Sequence, residues 1–155
     1  MTRLALRELA QRILHLEQQL KGVTIRLRRI TESFAPDLVA IKAVGPDVAS
    51  TLLMTAGDNP IRLNSEGAFA ASCGSNPIPA SSGMTTRHRL NRGGDRQANA
   101  ALWRIVLVRL GYDQRSRDYV AKRTAEGKSK AEIMRCLKRY VVREVYAALP
   151  REALG

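Results

Sequence analysis

The chain has 155 residues, of which 45% are hydrophobic, 26% charged and only 5% aromatic, so one domain, or a small domain with an appendage, is expected rather than a multidomain enzyme. Its formal net charge is +12, with +2 from residues 1–80 (9 Lys and Arg against 7 Asp and Glu) and +10 from residues 81–155 (17 against 7). Such a field attracts nucleic-acid phosphates or anionic membranes, and the second half is expected to face the polyanion.

Several protein classes are disfavoured by the sequence. No run approaches the roughly 20 apolar residues of a membrane span, and charges interrupt the N-terminal leucines, so we expect a cytoplasmic protein with no membrane partner. Cys73 and Cys136 lack CxxC spacing and are expected to be reduced structural thiols. P-loop, GxGxxG, HExxH and Cys/His metal spacings are missing, so no cofactor is expected in this chain.

Residues 1–35 are predicted to form one long helix that Pro36 ends. Apolar residues recur there at alternating spacings of three and four, as in the a/d seam of a coiled coil: Leu6, Leu9, Ile13, Leu16, Leu20, Val23, Leu27 and Ile30. This regularity favours a coiled coil that joins copies of the chain or a longer relative. An amphipathic helix folded back on its own domain is the alternative.

Residues 38–56 predict two short helices around a turn at Val44, Gly45 and Pro46, with the second helix opening at Pro46. The pattern resembles a helix-hairpin-helix, in which N–H groups at the turn hold a DNA phosphate. Gly45 and Pro46 are therefore candidate DNA contacts. A purely structural helical hairpin is the alternative.

A further short helix, capped by Ser65 or Asn64, is expected to reach Ser72 and to close at Gly74. Residues 76–94 have no sustained period and are predicted to be a long loop, of a length that is seldom reached without a function. A helix over residues 95–110 follows, with Gly111 as its stop. Its apolar side consists of Ala98, Leu102, Ile105, Val106 and Leu110.

A polar connector containing Arg115, Arg117, Lys122 and Arg123 is predicted next, and a capping box at Ser129 and Glu132 opens a last helix that extends to about residue 149. Its apolar face is predicted at Ile133, Leu137, Tyr140, Val141 and Val145, with basic residues over much of the remainder. The predicted fold is therefore mainly α. It consists of an N-terminal coiled-coil helix (residues 1–35) and a compact helical domain (36–150) with a helix-hairpin-helix-like segment and a long basic active-site loop.

The long loop places Ser81 and Ser82 just before several arginines: Arg87, Arg89, Arg92 and Arg96. A serine beside guanidinium groups can attack a phosphodiester that those groups hold and polarise, and His88 could transfer a proton. A serine turn with phosphate-positioning arginines and no chemistry would have the same composition. The residues leave both readings open, as they do the identity of the general base.

Three motifs then carry a family resemblance: SSG at residues 81–83, HRLNRGGDRQAN at 88–99 and EGKSKAEIMRCLKRY at 126–140. In this order they resemble the C-terminal transposase domain of the insertion sequence one-ten family, the serine-bearing DEDD recombinases guided by a bridge RNA. The likeness covers about residues 38–146, and residues 1–35 are similar to the coiled coil that precedes this domain in the family.

The resemblance implies that Ser82, with Ser81 as the less favoured neighbour, attacks DNA to form a covalent phosphoserine intermediate. It implies DNA and a guide RNA as partners. It also implies Mg²⁺, bound by an acidic RuvC-like domain that is not expected within these residues, so cleavage by this chain alone is not expected. The expected nucleic-acid-binding residues, in or beside these motifs, are Arg87, His88, Arg89, Asn91, Arg92, Arg96, Gln97, Lys128, Lys130, Arg135, Lys138 and Arg139.

The favoured function at this stage is a truncated DNA transposase or recombinase domain that contributes a serine nucleophile. The alternative is a catalytically inactive nucleic-acid-binding fragment that oligomerises with, or interferes with, a full-length recombinase. A basic RNA-binding structural protein is a weaker third hypothesis, because aromatic residues suited to base stacking are few.

Overall fold

The computed structural model describes residues 2–57, 63–80 and 88–150. The helices in these ranges are α1 (Thr2–Phe34), α2 (Pro36–Ala40), α3 (Pro46–Gly57), α4 (Glu66–Ser72), α5 (Arg96–Tyr112), α6 (Gln114–Ala125) and α7 (Lys130–Ala148). Two short strands, β1 (Ile78–Pro79) and β2 (His88–Arg89), pair antiparallel between α4 and α5. The prediction of a mainly α protein is confirmed.

The core is formed where α3, α4, α5 and α7 pack together. Its fully buried side chains include Leu38, Leu52, Leu63, Phe69, Leu102, Ile105, Val142 and Val145. Burying each of these large apolar side chains stabilises the fold by about 1.5–3 kcal/mol relative to exposure. The apolar side predicted for α5 is buried apart from Leu110, which is half-buried.

Local capping explains where several helices begin. The Ser65 hydroxyl accepts a hydrogen bond from the N–H of Ala68 at the start of α4, and the Asp95 carboxylate accepts from Gln97 and Ala98 at the start of α5. Ser129 and Glu132 form the predicted capping box at α7. Gly74 ends the α4 segment with a positive φ of 62°, a conformation that glycine adopts without steric cost.

Two expectations about the segment after α5 were wrong. Gly111 does not stop α5, which continues to Tyr112, and the expected polar connector is the helix α6. Asp113 starts the new helix, because its carboxylate accepts hydrogen bonds from both the N–H and the hydroxyl of Ser116 and caps α6. These hydrogen bonds also lower the pKa of Asp113, so its charge is retained where it favours the helix N-terminus.

The helix α1 contacts α3 near its C-terminal end, where Thr31 is buried. The rest of α1 is exposed along most of its length, including Leu9, Ile13 and Leu20 of the predicted seam. None of the helices in the described ranges is long and apolar enough to cross a membrane.

Candidate nucleic-acid interface

The two strands form the base of a hairpin whose connecting segment carries the predicted serines. Ile78 pairs with Arg89 and Pro79 pairs with His88. This pairing holds residues 79 and 88 side by side. Ser81, Ser82 and Arg87 lie in the segment between them, outside the described residues.

A cavity of about 340 Å³ lies between the hairpin and the helices α6 and α7. Its basic lining residues are Arg89 from β2, Arg123 from α6, Lys128 from the following turn, and Arg135, Lys138, Arg139 and Arg143 from α7. Glu132 is the carboxylate among the described residues that line it. Because seven Lys and Arg side chains line it, this space is called the basic cavity below.

Only part of this positive charge is neutralised within the described residues. Arg139 pairs with Glu66, with one nitrogen–oxygen distance of 2.8 Å, and Arg123 pairs with Glu126 at 2.5 Å. Arg89, Arg135 and Arg143 have no ion-pair partner in the ranges that the structure describes. The basic cavity therefore retains charge for an anionic ligand, and phosphate suits the planar, multiply donating guanidinium group.

Two tyrosines from neighbouring helices form part of the cavity wall. The Tyr119 and Tyr140 rings meet edge to face, with centroids 5.6 Å apart. Arg123 lies over the Tyr119 ring at 5.3 Å, and Arg143 lies over the Tyr140 ring at 5.7 Å. These cation–π contacts hold two guanidinium groups near the cavity. Tyr140, which was predicted on the apolar face of α7, is 46% exposed and contacts Tyr119.

Lys138 is the most deeply placed cation of the basic cavity, with 6% of its surface exposed. Its ammonium group donates a hydrogen bond of 2.8 Å to Oδ1 of Asn99 on α5. Burial lowers the pKa of Lys138, and the nearby Arg135 lowers it further. The contact ties α7 to α5.

The glycine-rich motif before α5 is held against the end of α4 by hydrogen bonds and close backbone packing. The Asp95 N–H donates to the Ser72 carbonyl at 2.7 Å, and the Thr55 hydroxyl donates to Oδ2 of Asp95 at 2.9 Å. Gly94 lies directly against Gly74, with no space for a β-carbon. Cys73 is buried here, and burial followed by the charge of Asp95 raises the pKa of its thiol to about 12, so this cysteine stays protonated at neutral pH.

A second cavity, of about 390 Å³, lies beside the segment that joins β2 to α5. It is lined by Arg92, Arg96 and Asn99 together with the indole of Trp103, which is 45% exposed. Gly74, Leu90 and Asn91 line both cavities. The two cavities are therefore neighbours.

The structure brings together many of the predicted nucleic-acid-binding residues. Those that line the basic cavity are His88, Arg89, Asn91, Lys128, Arg135, Lys138 and Arg139. The Asn91 amide is engaged within the loop, donating to Oδ1 of Asn76 at 2.5 Å and accepting from the N–H of Gly93. Gln97 and Lys130 are exposed and line neither cavity, and neither do Gly45 and Pro46 at the start of α3.

Arg123, Arg143, Tyr119 and Tyr140 were missed as site residues. The i,i+4 spacing of Tyr119 and Arg123 would have been a usable signal had α6 been recognised as a helix. Within the described ranges, no group of three or more His, Cys, Asp or Glu side chains is placed to hold a metal ion. The described residues therefore do not fit the Mg²⁺ site that the resemblance implies for an acidic domain.

The fold and the site define a helical protein with a concave, largely uncompensated basic surface, which is the electrostatic footprint of a nucleic-acid-binding module. The chain belongs to the transposase IS116/IS110/IS902 family, whose family model matches residues 35–121. The match includes the hairpin and α5, whereas α1 and α7 lie outside it. Membership assigns the chain to DNA transposition, with DNA as its partner. No curated protein matches the chain significantly.

Proposed function

We propose that this chain is the DNA-binding and strand-joining part of a transposase, with Ser82 as the nucleophile and the basic cavity as the DNA-phosphate site. The observation that carries the proposal is the position of the hairpin. The paired residues Pro79 and His88 flank the segment that contains Ser82, and His88 and Arg89 line the basic cavity. A strand held in this cavity would pass beside the ends of the serine segment.

In the proposed reaction, the Ser82 oxygen bonds to phosphorus while one bridging ester oxygen of the DNA leaves. The serine proton passes to a base, and the leaving oxygen takes up a proton. Arginine side chains stabilise the charge that develops on the non-bridging oxygens. The phosphoserine ester conserves the bond energy, so the reverse attack by a DNA hydroxyl rejoins the strand without ATP.

The seam of α1 is proposed to join two copies of the chain or to pair with a longer relative. Seven of its eight apolar positions are exposed, at 46–67% of their surface, and Leu27 is half-buried. Apolar side chains in uninterrupted heptad spacing bury themselves efficiently only against another helix.

Guide RNA is proposed as a second polyanion, because backbone phosphates of RNA and DNA offer the same anionic oxygens to arginine.

The serine assignment is tested by covalent capture of labelled DNA on denaturing gels, with an acidic domain of the family and Mg²⁺ supplied separately. Ser82→Ala is expected to abolish the adduct, because alanine has no oxygen, and to leave the dissociation constant for DNA within about twofold. Ser81→Ala is the matched control and is expected to retain the adduct. Adduct formation by Ser82→Ala at the wild-type yield would overturn the assignment. DNA binding without any adduct in the wild type would favour the inactive binding module.

A further inference from the structure

Lys138 has an environment that a structural lysine rarely occupies. Its side chain is 6% exposed, and none of the ion pairs among the described residues involves it. Removing an ammonium group from water is costly unless a counter-charge or several hydrogen bonds replace the water. The neighbouring cation Arg135 adds repulsion instead of compensation.

Asn99 provides one neutral hydrogen bond and fixes the direction of the ammonium group. The Asn99 amide nitrogen donates to the carbonyls of Cys73 at 2.8 Å and Gly74 at 3.1 Å, which turns its oxygen toward Lys138. An ammonium group has three N–H donors, so two remain beyond the bond to Asn99. Lys138 also lines the basic cavity, whose volume of about 340 Å³ is large enough for a phosphate group.

We infer that Lys138, held by Asn99, is a buried anion site that receives one DNA phosphodiester at the floor of the basic cavity. The inference rests on the proposed function and identifies the group that anchors the bound strand. The phosphate supplies the counter-charge that Lys138 lacks in the free protein. Asn99 lies on α5 and is hydrogen-bonded to the end of the α4 segment. A phosphate bound to Lys138 would therefore have a fixed position relative to the segments that flank the hairpin.

The test compares Lys138→Gln and Lys138→Met with Lys122→Gln, which removes the same charge from an exposed position on α6 that lines neither cavity. Binding of a fluorescein-labelled DNA duplex of about 30 base pairs is measured by anisotropy over a range of salt concentrations. An RNA duplex of the same sequence forms a second arm. Thermal unfolding of each variant is followed by circular dichroism.

Both Lys138 variants are expected to weaken DNA binding about tenfold, and the slope of log K against log salt should fall by about 0.9, the value for one phosphate contact. Lys122→Gln should change the affinity by less than about twofold. Lys138→Gln should unfold at or above the wild-type temperature, since it removes a buried charge and keeps a donor for Asn99.

Four outcomes would overturn the inference. Wild-type affinity in Lys138→Gln would exclude a phosphate contact while leaving the proposed function intact. A loss of affinity accompanied by a large fall in unfolding temperature in both variants would show that Lys138 has a structural role. Weakened binding to RNA alone would contradict the assignment to DNA. If the wild type bound no DNA, the proposed function itself would fail, and this inference with it.

Discussion

At Gly94, the backbone that leads into α5 lies against the backbone at the end of α4. A β-carbon there would overlap the backbone of Gly74 and lie 2.8 Å from the Ser72 carbonyl oxygen. The neighbouring Asp95 N–H donates to the same Ser72 carbonyl, so the backbone cannot move away without losing this hydrogen bond. Glycine is therefore required here by backbone packing.

Gly94→Ala is expected to lower the free energy of unfolding by about 3 kcal/mol, because the overlap is with backbone rather than with a flexible side chain. For a protein of this size, that loss corresponds to a fall of roughly 10 °C in the unfolding temperature, measured by calorimetry. Gly93→Ala is the matched control, since a β-carbon there would meet only Oδ1 of Asn91 at 3.4 Å. Equal unfolding temperatures for the two variants would contradict the packing argument.

Residue types alone do not show whether a polar side chain binds a ligand or forms hydrogen bonds within the protein. Asn91 and Asn99 both lie in a motif that looks suited to nucleic acid, yet their amide groups hold backbone carbonyls and side chains of the protein. These hydrogen bonds join residues 15 to 26 positions apart, a separation at which a sequence pattern gives no geometric information.

At the scale of elements, α1 has an apolar seam that does not pack along its own domain. It extends about 50 Å at the usual rise per residue. Thr31, near its C-terminal end, is its buried residue in the described ranges. The alternative of an amphipathic helix packed along its own domain is therefore not supported by the burial pattern, and an intermolecular partner for the seam stays a prediction.

We expect the protein to form oligomers through this seam, and Leu16→Asp to reduce the mass measured by sedimentation velocity to the 17.1 kDa of one chain. A carboxylate at a d position would be buried without a partner, which costs more than the contact gains. Leu14→Asp, an equally drastic change two residues earlier and off the seam, should leave the mass unchanged. A wild type that remains a monomer at every concentration would contradict the prediction.

The helix α6 illustrates why the element list was incomplete. It has no fully buried residue, and its half-buried Tyr119 and Val120 are adjacent, so no apolar period reveals it. The strands β1 and β2 have two residues each and are also beyond the reach of periodicity. By contrast, α7 was predicted because its capping box and apolar spacing are both local features.

At the scale of the whole molecule, the sequence was sufficient for the helical class, most helix starts and the basic half of the chain. It was not sufficient for the basic cavity, which brings Arg89 of the hairpin together with Tyr119 of α6 and Arg143 of α7. Those residues become neighbours only through packing of α5, α6 and α7 on one another. The serine segment lies outside the described residues, so its role stays a proposal.

The central claim is that positive charge acts at the basic cavity and not merely through the net charge of the chain. It is tested by measuring DNA affinity against salt for two triple variants with equal charge loss. The cavity variant changes Arg89, Arg135 and Arg143 to Gln. The control changes Arg7, Arg28 and Arg29 to Gln, all of them exposed on α1 and off the apolar seam.

The cavity variant is expected to bind DNA about 100-fold more weakly, with a salt slope lower by roughly 2 to 3, because three phosphate contacts are lost. The control variant is expected to stay within about threefold of the wild type, since its exposed charges line neither cavity and are screened by salt. Equal losses in both variants would mean that only net charge matters, and would contradict the account.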